Sequence, residues 1–245
     1  MKTLLADFHI HSALSPCAGD DMTPPAIVRW ALDRSLALIA ICDHNSAANS
    51  AAVQQAAGDR LAVLAGMEIT TAEEAHVLGI FPDAASASSA AAELLATLPE
   101  ADERYYRKFG NQFRMDAAGT VVSCEKKMLA MATTFPLSET IGLVKRYGGL
   151  TIASHVDRPS YSVIRQLGFF PTDAGFDAVE ISPIAAEAHR AKEFIRFGLP
   201  VVTSSDAHQL ADIGTSRTAL KVEAAAFGEL VLALQGVAGR RLFCA

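Results

Sequence analysis

The sequence predicts an α/β fold built on a parallel sheet. Short apolar runs alternate with helical patterns, the signature of βα units. Those runs read as continuous Leu/Ile/Val/Ala rather than strict alternation, as strands do when both faces are covered. Several runs pass directly into His, Asp or Glu, and in a parallel barrel all C-terminal strand ends meet on one rim. A length of 245 residues suits one such barrel as a single domain spanning 1–245.

Strands are expected at Leu4–His9, Ala37–Cys42, Ala62–Met67, His76–Phe81, Leu150–Ser154, Ala178–Ile181 and Pro200–Ser204, with a short one near Ala219–Val222. Thr23 before Pro24 and Pro25 reads as an N-cap with proline in the first turn, opening a helix to about Arg34. Asn45 or Ser46 opens an alanine-rich helix that Gly58 closes. Ser138 opens another, stopped at Gly148-Gly149. A helix is expected from Ala185 to Phe197, ending at Gly198, and a last one from Ala224 to Gln235. Pro99 to Phe135 breaks the rhythm. It is polar and irregular, carries Tyr105, Tyr106 and Phe109, and reads as an insertion, either a lid or hairpin over the site or a solvated excursion.

Composition narrows the function. The net charge is −6, so a broad nucleic-acid surface is not expected, although bound cations can outweigh net charge at one small site. The four cysteines, Cys17, Cys42, Cys124 and Cys244, form no CxxC pair, which argues against a zinc ribbon or disulfide framework. The first residues reach a charge too early for a secretion signal, and no apolar run is long enough to span a bilayer. A cytoplasmic location with no membrane partner is the expectation.

Six of the seven histidines fall at or just after expected strand ends. His9 and His11 share one face of a strand end, because residues two apart point the same way. Asp206 and His208 repeat that spacing after the last clear strand. Asp43-His44 follows the second strand, Glu68 the third, and His155 ends the fifth. His76 opens its strand, and reaches the same rim if that strand runs antiparallel. A core gains nothing from such placements, since unpaired buried polar groups cost stability. Asp7 and Asp43 read as supports for other ligands, Asp7 alternatively as a solvated charge. His189, inside a helical pattern, reads as surface. Arg158 and Arg217 are candidate phosphate-binding residues, each equally readable as a surface ion pair.

At these positions the sequence resembles the PHP family, named for polymerase and histidinol phosphatase. The matching motifs are HxH at 9–11, Asp-His at 43–44, His155 and Asp-x-His at 206–208, with Gly66-x-Glu68 and His76 also in place. The resemblance implies a distorted (β/α)7 TIM-like barrel holding two or three divalent ions, with manganese, zinc or iron suiting the mixed N/O donors. It implies one site from His9, His11, Glu68 and Asp206, a second from His44, His208 and a first-loop residue, and a third from Glu68, His76 and His155. The first loop departs from the family pattern by being longer. Asp21 is the first choice of ligand there, with Asp20 and Cys17 as alternatives.

Such a cluster points to hydrolysis of phosphomonoesters or phosphodiesters by metal-activated hydroxide, with a small phosphorylated substrate or short nucleotide. Asp206 and His208 are the candidate catalytic residues, His208 as a proton donor. An amidohydrolase-type C–N hydrolase and a non-catalytic metal-stabilised domain are the alternatives. No lysine at a strand end supports the former.

Overall fold

A computed structural model describes residues 1–244. The strands are β1 (Lys2–Ile10), β2 (Leu38–Ile41), β3 (Ala62–Thr70), β4 (His76–Phe81), β5 (Phe113–Met115), β6 (Val121–Cys124), β7 (Leu150–Ala153), β8 (Ala178–Ile181), β9 (Val201–Thr203), β10 (Thr218–Val222) and β11 (Arg241–Cys244). The helices are α1 (Pro24–Asp33), α2 (Ser50–Ala57), α3 (Ala84–Leu95), α4 (Glu103–Phe109), α5 (Leu137–Arg146), α6 (Val163–Leu167), α7 (Pro183–Glu187) and α8 (Phe227–Gln235). Nine strands form one sheet in the order β11-β10-β1-β2-β3-β4-β7-β8-β9, and β5 pairs with β6 apart from it.

The sheet curls into a distorted TIM-type barrel. The segment after β9 returns to β1: His11 N donates to the Ala207 carbonyl (2.9 Å) and Ala207 N to the His9 carbonyl (3.1 Å). Closure is thus made at the rim, while lower down β10 occupies the other side of β1, antiparallel. Alternation sorts the core into layers. Leu4, Ala6, Phe8, Leu38, Ala40 and Cys42 belong to the interior cluster, which α8 plugs with Leu230, Ala233 and Leu234. Ile39 and Ile41 face outward, against α1 and α2.

Two features of the sheet aim the site. β4 runs antiparallel to both neighbours, so its first residue, His76, lies opposite Thr70 at the rim where β3 ends. In β1 a bulge between Asp7 and Ile10 inserts one extra residue relative to β2. Phe8 still faces inward, but Ile10 pairs with Ile41 in the outer layer. The register shift therefore turns His9 and His11 inward, the way bulges re-aim side chains beside active sites.

Three expected elements differ. The helix expected from Asn45 or Ser46 begins at Ser50. Asn45 sits at φ 50° and spends its amide on the Leu129 and Met131 carbonyls, so it ties two loops together instead of capping. The helix expected over 185–197 is α7 followed by two 3₁₀ turns, broken at His189, where φ is 54°. The helix expected from Ala224 opens only at Phe227. The 99–135 stretch holds α4 and the β5–β6 hairpin, docked on the first loop through Phe113 N to the Ala13 carbonyl (2.8 Å) and Asn111 Nδ2 to Asp20 (2.9 Å). Among the described residues no helix is long and apolar enough to cross a membrane.

Candidate metal centre

Glu68, at the rim end of β3, is almost fully buried and stands at the centre of five imidazoles. His76 Nδ1 lies 2.8 Å and His155 Nε2 3.0 Å from its Oε1. His44 Nδ1 lies 3.3 Å from Oε2, and His9 and His11 approach at 3.5 Å each. Asp206 Oδ1 faces the same two rings, 3.3 Å from His9 Nε2 and 3.2 Å from His11 Nε2. His208 stacks on His11 with ring centroids 4.1 Å apart. Three sets of donors lie close enough to share an ion: His9, His11, Glu68 and Asp206; His11, His44 and His208; and His44, Glu68 and His76.

The surrounding groups fix which nitrogen each ring turns inward. His9 Nδ1 meets the Glu180 carboxylate at 3.0 Å, and a carboxylate only accepts, so in the neutral, metal-ligating ring Nδ1 carries the proton and Nε2 is bare. His11 Nδ1 meets Ser15 Oγ at 2.9 Å; that hydroxyl already donates to Asp43 and so accepts from the ring. His208 Nδ1 donates to the Asp206 backbone carbonyl (2.8 Å). Thus His9, His11 and His208 all present bare Nε2 atoms. The Nε2 atoms of His9 and His11 are 3.1 Å apart, two lone pairs that repel unless a proton or a metal cation lies between them. His44 Nδ1 is buried with no hydrogen-bond partner, although its Glu68 neighbour is near. These observations fit divalent cations.

The electrostatics run the same way. Burial works against the charged form of His9, yet Asp206, Glu180 and Glu68 together hold its pKa well above the usual imidazole range. Burial and the neighbouring His208 push His11 well below that range. Burial lowers His44 to about 3. Glu68 and Asp206 stay well below the usual carboxylate range, because the surrounding imidazoles, His76 and His9 foremost, overcome the cost of burial. The site stores negative charge for a cation to neutralise.

Supporting residues position the donors. Asp7 accepts from Ser205 N (3.0 Å), Ser205 Oγ (2.6 Å) and Gly214 N (2.9 Å), anchoring the 205–208 segment beneath the end of β1. Burial raises its pKa to about 6. Asp43 accepts from Ser12 N, Ser12 Oγ and Ser15 Oγ at 2.7 Å each, so it acts on His11 through Ser15. His155 and Asp206 hold positive φ values of 28° and 51°, strain that accompanies functional geometry.

The expected site residues divide as follows. His9, His11, His44, Glu68, His76, His155, Asp206 and His208 converge. Arg158 joins them, its guanidinium 2.5 Å from Asp206 Oδ2. Asp21 does not: it is exposed and outside every donor set. Gly19 N is pinned to the His208 carbonyl (2.9 Å), so the loop has turned away before it reaches Asp21. Asp20 is also exposed and accepts from Asn111. Cys17 is likewise exposed and belongs to no donor set. Arg217 points elsewhere, donating to the Arg34 carbonyl (3.4 Å). His189 is exposed and distant in role. His208 turns Nδ1 to the Asp206 carbonyl and Nε2 toward the cluster. Glu180 lies outside the motifs at the strand ends, although one acid inside the apolar strand Ala178-Val179-Glu180-Ile181 is a signal that a buried partner exists.

Residues 187–236 match the family model described as PHP-associated. No curated protein matches the chain by sequence. Among solved structures the chain is similar to the lesion-specific endonuclease PfuEndoQ of Pyrococcus furiosus, with TM-score 0.70, 18% identity, 98% of this chain covered and 58% of that one. The chain therefore spans little more than half the length of that enzyme. It is also similar to a Bifidobacterium adolescentis protein whose assignment as a metal-dependent phosphoesterase is itself an inference (TM-score 0.56, 22% identity, 83% and 87% covered). A third likeness is to an amidohydrolase from Chromobacterium violaceum with bound sulfate (TM-score 0.60, 21% identity, 85% and 89% covered).

Proposed function

For a chain that carries the PHP fold, we propose hydrolysis of phosphate esters at a cluster of two or three divalent cations. The observation that carries this reading is the convergence of bare imidazole nitrogens on Glu68 and Asp206, with Arg158 beside them. His9, His11, Glu68 and Asp206 would hold one ion; His11, His44 and His208 a second; Glu68 and His76, with His44 or His155, a third. Bound there, such ions neutralise phosphoryl charge and make a water acidic enough to ionise near neutrality.

The remaining work falls to the chain. Arg158 offers a planar fork for two non-bridging phosphoryl oxygens, and exchanges its Asp206 partner for them. Glu180 and Ser15 hold His9 and His11 in the tautomers that leave Nε2 free.

A C–N hydrolase remains the second reading, favoured by the likeness to an amidohydrolase. No lysine lines the site cavity, which weighs against a lysine-bridged variant of it. Nucleic acid returns as a possible class of substrate, because one similar structure is an endonuclease. The 99–135 insertion carries six basic and five acidic residues in a chain of net charge −6.

Elemental analysis of the purified chain, alongside turnover of phosphomonoesters, phosphodiesters and lesion-bearing oligonucleotides with manganese, tests the proposal. The expected outcome is at least two bound ions per chain and ester hydrolysis that EDTA or Asp206→Asn abolishes. Turnover confined to amides or lactones would overturn it.

A further inference from the structure

Tyr161 stands at the mouth of the cluster in a conformation that packing does not demand. Its φ is 57°, in the left-handed region that a bulky side chain enters only under constraint. The constraint is visible: the Tyr161 carbonyl accepts from His76 N (2.8 Å), and Ser162 Oγ donates to the Arg158 carbonyl (2.7 Å) across the same turn. The ring stacks on His76, with centroids 4.7 Å apart and planes inclined by 19°. Yet Tyr161 is 46% exposed, so the strain does not serve to fill a core.

The cavity explains where a substrate must go. It is lined by the imidazole–carboxylate cluster on one side and by Arg158, Ser160 and Tyr161 on the other, and its volume is about 110 Å³. Pockets that enclose a whole small molecule usually run to roughly 300 Å³ or more. This one holds a phosphate-sized group and little else. The alcohol half of an ester then lies outside, across the face of Tyr161.

We propose that Tyr161 is a stacking platform for the base of a nucleoside phosphate, so that the site takes nucleotides or nucleotide ends in preference to sugar or aliphatic phosphates. This rests on reading the cluster as a phosphate-ester site. A flat, half-exposed ring on the wall of the cavity offers a π face that every nucleobase matches and an aliphatic alcohol does not. Arg158, three residues earlier on the same turn, anchors the phosphate while Tyr161 receives the base.

The test compares binding of two phosphonate analogues that cannot be hydrolysed, those of adenosine 5′-phosphate and of ribose 5-phosphate, to the manganese-loaded full chain by calorimetry. Wild type is expected to prefer the adenosine analogue about tenfold. Tyr161→Phe keeps that ratio. Tyr161→Asn, which tolerates the left-handed backbone and removes the ring, brings it toward one. A wild-type ratio of one, or a ratio that Tyr161→Asn leaves intact, overturns the platform. Phosphate-ester turnover measured in parallel separates the two ideas: turnover with a ratio of one removes only the platform, whereas a Tyr161-dependent ratio without ester turnover removes the hydrolytic reading.

Discussion

His9 donates through Nδ1 to Glu180, and that bond decides which nitrogen faces Glu68 and Asp206. Glu180→Ala removes the acceptor and frees the ring to turn. Metal affinity is then expected to fall roughly 10–100-fold, read by competition with a chelator, while Glu180→Gln, whose amide oxygen still accepts, retains most of it. Wild-type affinity in the alanine variant would refute that role. Asp7 makes a separate prediction. Its folded pKa of about 6 lies above the unfolded value of 3.8, so its protonated form is favoured by folding. Its contribution is fully present below the unfolded pKa and lost as pH rises through about 6. In urea titrations of the metal-free chain, Asp7→Asn is therefore expected to gain on wild type by about 1–2 kcal/mol between pH 5 and pH 8. A pH-independent difference would show that Asp7 ionises freely in the fold.

Among the elements, β1 shows how a local irregularity carries function. Its apolar residues and its HxH triplet are plain in the sequence, but strict alternation would place His9 with Leu5 and Asp7, away from the interior. The bulge resolves this, and it exists only relative to the register of β2. The docked insertion depends on a single glycine. A Cβ on Gly110, at φ 104°, would stand 2.2 Å from the Pro16 carbonyl oxygen. Gly110→Ala is expected to cost about 2 kcal/mol or more in denaturant melts and to open 99–131 to proteolysis, because the first loop cannot retreat without disturbing Ser15. Unchanged stability and cleavage would mean that the insertion is not held there. The stretch at 185–197 reads as one helix from composition, yet His189 adopts φ 54° and breaks it, a choice set by packing over β8 and β9 rather than by propensity.

For the whole molecule, the barrel brings together residues up to 199 positions apart, from His9 to His208, in a space where their charges conflict without a cation. Metal binding is therefore linked to folding. Loading with manganese or zinc at about 1,000 times the dissociation constant is expected to add about 4 kcal/mol and raise Tm, and chelation to reverse this. A melting curve indifferent to both would leave the cluster without its cation.

The sequence by itself determined the strand–helix order of most of the barrel and the chemical inventory of the rim. Apolar runs ending in His, Asp or Glu are local patterns, and burial of a charged group without function is too costly to recur by accident. Only the tertiary structure decided which way those side chains face and which of them meet. The bulge in β1, the antiparallel β4 that delivers His76, the stitching of Ala207 to His9 and His11, and the support from Glu180 all depend on pairing between distant segments. The same holds for the exclusion of Asp21 and Arg217, since a loop's course is set by where its hydrogen bonds find partners, and those partners lie far away in the chain.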